Sequence, residues 1–136
     1  MASWLVPTFA YVLLIGALGV VSKLALGSLG WQTLIFWTTI GYAGITAVLL
    51  ARGEVEIGGS GTGWAVATAA LAIGGLIALY VALASGDASK VAPIAAAYPI
   101  VTVLLAALML SETVSPLRYA GAIVVVIGVA MVGAAG

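Results

Sequence analysis

The sequence predicts an all-α integral membrane protein of five transmembrane helices, and three observations predict it. Hydrophobic residues make up 65% of the 136 residues and charged residues only 6%, whereas a soluble domain carries about 25% charged residues. A soluble domain of this size keeps much of its surface in water and has no room to hide so much apolar area; lipid is the solvent that fits. Second, charges and glycine-rich breaks cut the chain into five apolar runs, each near the ~20 residues a helix needs to cross the hydrocarbon core. Third, the runs are too long for barrel strands and lack their period-two alternation.

The first helix is expected over residues 4–23, from Trp4 to Lys23, and the first link is Ala25-Leu26-Gly27-Ser28-Leu29-Gly30. The second helix covers 31–51. The longest connection follows, Arg52 to Thr62, with Gly53, Gly58, Gly59 and Gly61 marking a flexible loop. The third helix covers 63–84 and Ser85-Gly86-Asp87-Ala88-Ser89-Lys90 links it to the fourth, 91–110. Ser111-Glu112-Thr113-Val114-Ser115 leads into the fifth, 116–134. There Ser115 before Pro116 offers an N-cap hydroxyl, then a proline where no N–H is needed. Short links make successive helices neighbours that alternate up and down. The whole chain, 1–136, reads as one transmembrane domain.

Net charge is zero, so no basic face invites nucleic acid. The chain has neither Cys nor His, which removes thiolate chemistry, disulfides and most zinc sites; no metal and no cofactor is expected. No nucleophile–base pair can be assembled for hydrolysis. Gly58-Gly59-Ser60-Gly61 lacks the Lys-Ser/Thr that a phosphate loop requires. Met-Ala-Ser-Trp has no positive leader region, so the first apolar run is expected to be retained.

The four cations are evenly dealt. Lys23 and Lys90 fall on one side of the membrane; Arg52 and Arg118 fall on the other, with the terminal amine. Orientation follows the Lys/Arg excess in short loops, and here there is none. Either a partner or the amine decides orientation, or the chain inserts both ways and pairs antiparallel with itself. The completeness of the balance favours the second. Two inverted five-helix chains then form a ten-helix homodimer, the two-chain counterpart of an inverted-repeat transporter.

The residues themselves resemble a known family. Tyr80-Val-Ala-Leu, Ala88-Ser-Lys-Val-Ala-Pro93, Pro99-Ile-Val-Thr-Val-Leu-Leu-Ala106, Leu110-Ser-Glu-Thr-Val-Ser-Pro116 and Gly121-Ala-Ile-Val-Val-Val-Ile-Gly128 follow in order, with Gly19-Val-Val-Ser-Lys23 near the front. The set is similar to the EamA-type domain of the drug/metabolite transporter superfamily, over nearly the full chain. Most members fuse two such domains into ten helices. The resemblance therefore implies a homodimer or a small-subunit pair, and transport of small metabolites across a prokaryotic inner membrane.

No Asp or Glu lies within a predicted span. Intramembrane ionisable groups mark proton-coupled pathways, and the mid-helix Glu of the four-helix multidrug exporters has no counterpart here. A neutral or zwitterionic solute fits better than a cation. Pro99 is the sharpest local feature: it removes the hydrogen bond to the Ala95 carbonyl and kinks the helix. Ala95, Tyr98 and Thr102 share its face. That face either lines the substrate path or only shapes packing. Thr38, Tyr42 and Thr46 form a stripe on helix two; Thr8, Tyr11 and Ser22 form one on helix one. Such hydroxyls either bind a polar solute or bond their own helix and glue it to neighbours. Lys23 either snorkels to the interface, the favoured reading, or sits at a cavity mouth. Trp4, Trp31, Trp64 and Tyr80 read as interface anchors, while Trp37, lying deeper, is open to either role. Gly16 with Gly19, Gly41 with Gly44, Gly74 with Gly75, and Gly121 with Gly128 suit close helix contacts.

The expected function is a secondary-transporter protomer working by alternating access, not an enzyme. The substrate-path candidates are Tyr11, Lys23, Trp37, Thr38, Tyr42, Ala95, Tyr98, Pro99 and Thr102. Helices one to four are expected to line the path, with five peripheral. The rivals are a non-transport membrane subunit, or half of a heteromeric complex, and a lipid-acting enzyme, which the missing buried acids, His and Cys disfavour.

Overall fold

The computed structural model describes residues 4–110 and 113–134. Ser111 and Glu112 of the last connection, and Met1 to Ser3, lie outside the described residues. The helices are α1 (Leu5–Leu26), α2 (Trp31–Ala51), α3 (Thr62–Ser85), α4 (Ala88–Ala95), α5 (Tyr98–Met109) and α6 (Pro116–Ala134). Taking α4 and α5 as one stretch, five spans among the described residues are long and apolar enough to cross a membrane, and no strand is present among them. The chain divides into two compact units, Met1–Ser85 and Gly86–Gly136.

In the first unit α1 runs three residues past the expected end at Lys23, because Leu24, Ala25 and Leu26 are good helix formers and the first breaker is Gly27. The Ser28 and Leu29 N–H groups close the turn on the Ala25 carbonyl, at 3.1 and 2.8 Å. Gly30 is extended, and its carbonyl starts α2 by accepting from Thr33 and Leu34.

The end of α2 satisfies its last carbonyls through Gly53. The Gly53 N–H donates to Leu50 O at 3.0 Å and the Glu54 N–H to Leu49 O at 3.1 Å, the pair of bonds of a Schellman motif. Gly53 sits at φ +68°, a left-handed conformation costing a side-chain-bearing residue about 1–2 kcal/mol. A Cβ there would meet nothing within 4 Å, so the cost is conformational alone. Gly53→Ala is expected to lower stability by about 1 kcal/mol, read by unfolding in mixed micelles. The nearby Arg52–Glu54 ion pair, 3.8 Å long between exposed side chains, adds little.

The core of this unit is small and lies at one end. Gly19 and Ser22 of α1, Leu34 of α2, and Tyr80 and Leu83 of α3 are its buried residues, and Leu83 is fully buried. They come from the last turns of α1 and α3 and the first of α2, so the three helices meet where α1 and α3 end and α2 begins. Beyond it nearly all side chains of the three helices are exposed, the apolar-all-round pattern of membrane helices. A methyl group on Gly16, Gly41, Gly44, Gly74 or Gly75 would meet nothing within 4 Å; these glycines do not mark tight helix contacts within this unit.

In the second unit α4 and α5 both pack on α6. The fourth span starts at Ala88 rather than Val91, since the Asp87 carbonyl accepts from Lys90 and Val91 at 3.0 and 2.9 Å and opens the helix earlier. It is also two helices, not one kinked helix. Pro99 has no N–H for the Ala95 carbonyl, and its ring would strike that carbonyl in a continuous helix. The chain responds with two tightened turns: Ala97 N–H to Ile94 O, and Ile100 N–H to Ala97 O, both 3.1 Å. Helix resumes at Tyr98, leaving Pro99 in the first turn of α5, where no N–H is needed. The single face expected to carry Ala95, Tyr98 and Thr102 is therefore divided between two helices.

At α6, Pro116 takes the first position as expected. The Ser115 carbonyl accepts from Arg118 and Tyr119 at 2.9 and 3.3 Å, while among the described residues the Ser115 hydroxyl makes no cap bond. Gly121 and Gly128 also face open space. All four cations stand at helix ends: Lys23 in the last turn of α1, Arg52 at the end of α2, and Lys90 and Arg118 in the first turns of α4 and α6.

Candidate functional site

The threonines of the first unit mostly serve their own helices. Thr8, Thr39, Thr46 and Thr68 each donate to the carbonyl four residues back, at 2.7 to 2.9 Å. That is how a hydroxyl is satisfied inside an apolar helix. Thr38 does the same toward Leu34 O at 2.9 Å, and its oxygen also lies 3.2 Å from the Tyr80 hydroxyl. A threonine has one hydroxyl proton; with that proton on Leu34, Tyr80 is the donor to Thr38. This bond joins α2 to α3.

Tyr80 is thus no interface anchor. It is 3% exposed, about one and a half turns inside the end of α3, and packed in the core. Lys23 likewise turns inward from the expected snorkel. Its Nζ donates to Leu83 O at 2.8 Å in a part-buried setting. Leu83 lies in the last turn of α3, whose carbonyls lack helical partners and form the negative end of the helix dipole. The ammonium tethers α1 to α3 where both end.

Above this core runs a groove of about 360 Å³ lined by residues of α1, α2 and α3, among them Ala17, Ser22, Leu34, Trp37, Thr38 and Tyr80. Its walls are almost wholly apolar. The exposed Trp37 ring stands edge-on to Phe36, with centroids 5.6 Å apart.

The structure brings Trp37 and Thr38 together in this groove, with Lys23 next along α1 from Ser22. Tyr11 and Tyr42 are exposed and outside its lining. In the second unit Ala95 ends α4 and is exposed, Tyr98 and Pro99 open α5, and the exposed Thr102 donates weakly to Tyr98 O at 3.4 Å. Ser22 and Tyr80 are the hydroxyl-bearing groove residues absent from the substrate-path candidates. Their register was the available signal: Tyr80 and Leu83, three residues apart, share a face at the same helix end as Ser22.

Fold and site together define a multi-pass membrane protein with a hydroxyl-bearing groove among three spans and a span broken midway. The chain belongs to the EamA-like transporter family, whose sequence model matches residues 2–134. This bears out the resemblance read from the sequence, and with it a transporter-type function. Comparison with curated proteins and with solved structures yields no match.

Proposed function

We propose that the chain is the protomer of a secondary transporter that moves a small neutral or zwitterionic metabolite across the cell (inner) membrane by alternating access. Family membership over nearly the whole chain is the observation that carries the reading. The broken span supports it, because discontinuous helices near the bilayer midplane form substrate sites in transporters. The absence of Asp and Glu from every span supports a solute without net positive charge.

The working unit is a pair of chains inserted antiparallel, giving ten helices about a two-fold axis in the membrane plane. The even division of the four cations supports this arrangement. With identical inverted protomers, the inward-open and outward-open states are equivalent. Tyr11, Lys23, Trp37, Thr38, Tyr42, Ala95, Tyr98, Pro99 and Thr102 remain the candidates for the path. Lys23 acts there by holding α1 and α3 together. The chain carries out no covalent chemistry.

The test is flux through liposomes that contain the purified chain alone, screened with radiolabelled neutral and zwitterionic metabolites. Saturable uptake and counterflow of at least one solute are expected. No flux across the screen, with flux restored by a second membrane subunit, would instead make the chain half of a heteromeric complex.

A further inference from the structure

The bonded threonines in the helices of the first unit return their hydroxyls to backbone carbonyls three or four residues back, but Ser22 does not. Ser22 is 6% exposed, and its hydroxyl has no hydrogen-bond partner among the described residues. No side-chain oxygen or nitrogen there is both fully enclosed and unpaired, so the Ser22 oxygen keeps an opening. Ser22 lines the groove, the one space among the described residues known to adjoin it. A hydroxyl held in an otherwise buried side chain and left without a partner is costly unless something else bonds it.

A second polar group faces the same space. Thr38 gives its proton to Leu34 O and receives that of Tyr80, which leaves the phenolic oxygen of Tyr80 with lone pairs to offer. Among its hydroxyls the groove therefore offers one donor, the Ser22 O–H, and two acceptors, the Ser22 and Tyr80 oxygens, beside the indole N–H of the lining Trp37. The other groove walls are almost entirely carbon. Among the described residues no carboxylate, guanidinium or ammonium lines it, and the nearest cation along the chain, Lys23, donates to Leu83 O. An ion entering would shed water without gaining a counter-charge, which an apolar wall does not repay.

We infer that the groove beside Ser22 binds a small uncharged solute, or the uncharged end of one, that is apolar over most of its surface and carries one hydroxyl- or amide-like group. The volume of about 360 Å³ lies in the range of small-molecule sites. The inference rests on the transporter reading for the ligand's role as cargo, and it narrows that reading from neutral or zwitterionic to neutral at this site.

The test is fluorine NMR on the full chain in nanodiscs with three probes sharing one ring: 4-fluorobenzyl alcohol, 4-fluorotoluene and 4-fluorophenylalanine. The alcohol is expected to bind saturably and the amino acid not to. Ser22→Ala should weaken the alcohol about 2- to 10-fold and leave the toluene unchanged, a difference that mere loosening of the helices would not produce. Ser22→Thr, which keeps a hydroxyl, should retain the preference for the alcohol. An alcohol-to-toluene ratio that is the same in wild type and Ser22→Ala overturns the inference, as does amino-acid binding as tight as that of the alcohol. Zwitterion flux without alcohol binding would sink this site and leave the transporter reading standing; alcohol binding without flux of any solute would do the reverse.

Discussion

Replacing Lys23 by Met is expected to destabilise the first unit by about 2 kcal/mol, because a hydrogen bond from a charged donor is worth roughly 1.5–3 kcal/mol. The Nζ–Leu83 O bond is short and part-buried. The acceptor is a carbonyl with no helical donor of its own, at the negative end of α3. Met keeps the unbranched stem and removes the ammonium, so packing along the stem survives while the tether is lost. Lys23→Arg keeps a charged donor and should recover most of the stability. Unfolding of each variant by SDS titration, followed by circular dichroism, measures the effect. A Met variant within 0.5 kcal/mol of wild type, the scale of an ordinary surface change, would show that the tether contributes nothing.

The second large effect is expected at Pro99, and its two readouts move in opposite directions. Pro99→Ala returns an N–H to the Ala95 carbonyl and removes the ring that blocks it. The fourth span can then run as one helix from Ala88 to Met109. Healing the break should stabilise the chain by about 1 kcal/mol, less than the ~3 kcal/mol of an interior proline because Pro99 already occupies a first turn. In the proposed mechanism the break supplies uncommitted backbone near the middle of the bilayer, and healing it should slow solute flux about tenfold, equivalent to ~1.4 kcal/mol in the barrier. A variant that is more stable and less active is not simply damaged. Full flux from a chain shown by amide exchange to have a continuous helix at residues 94–100 would remove the break from the mechanism.

Much of this fold is legible in the sequence because lipid imposes a strict rule. Each backbone polar group must be satisfied within the span, so length and hydropathy alone delimit helices, and the α2 and α6 bounds agree with the sequence-based expectation at both ends. The misses have local causes. α1 overruns Lys23 because a charge near a helix end does not stop a helix; Gly27 does. α4 begins early because Asp87 can cap with its carbonyl. Pro99 was visible as a perturbation, but whether a proline kinks a helix or restarts it depends on its neighbours, and the short side chains of Ala95, Ala96 and Ala97 allow the tighter turn.

The groove was harder to read. Thr38 and Trp37 stood out as polar or aromatic residues deep in an apolar run. Ser22 was visible only as one member of a hydroxyl stripe and Tyr80 as a helix-end aromatic, because their significance comes from three helices meeting at one end, and membrane helices carry little amphipathic signal to mark which face meets which. Tyr80 near a helix end has the sequence appearance of an interface anchor; only its bond to Thr38 and its burial in the core give it another role. Glycines misled for a related reason. Small residues permit close approach without requiring it, and of those singled out in the first unit only Gly19 lies in the core.

The central claim is that one chain, inserted in both orientations, supplies both halves of a ten-helix transporter. The chain has no cysteine, so Ser60→Cys in the exposed α2–α3 connection gives a single site for a membrane-impermeant thiol reagent on intact cells. Labelling of about half the molecules, with the remainder reached only after permeabilisation, is the result expected from balanced Lys/Arg loops. Labelling of all or none would fix a single orientation and contradict the antiparallel homodimer.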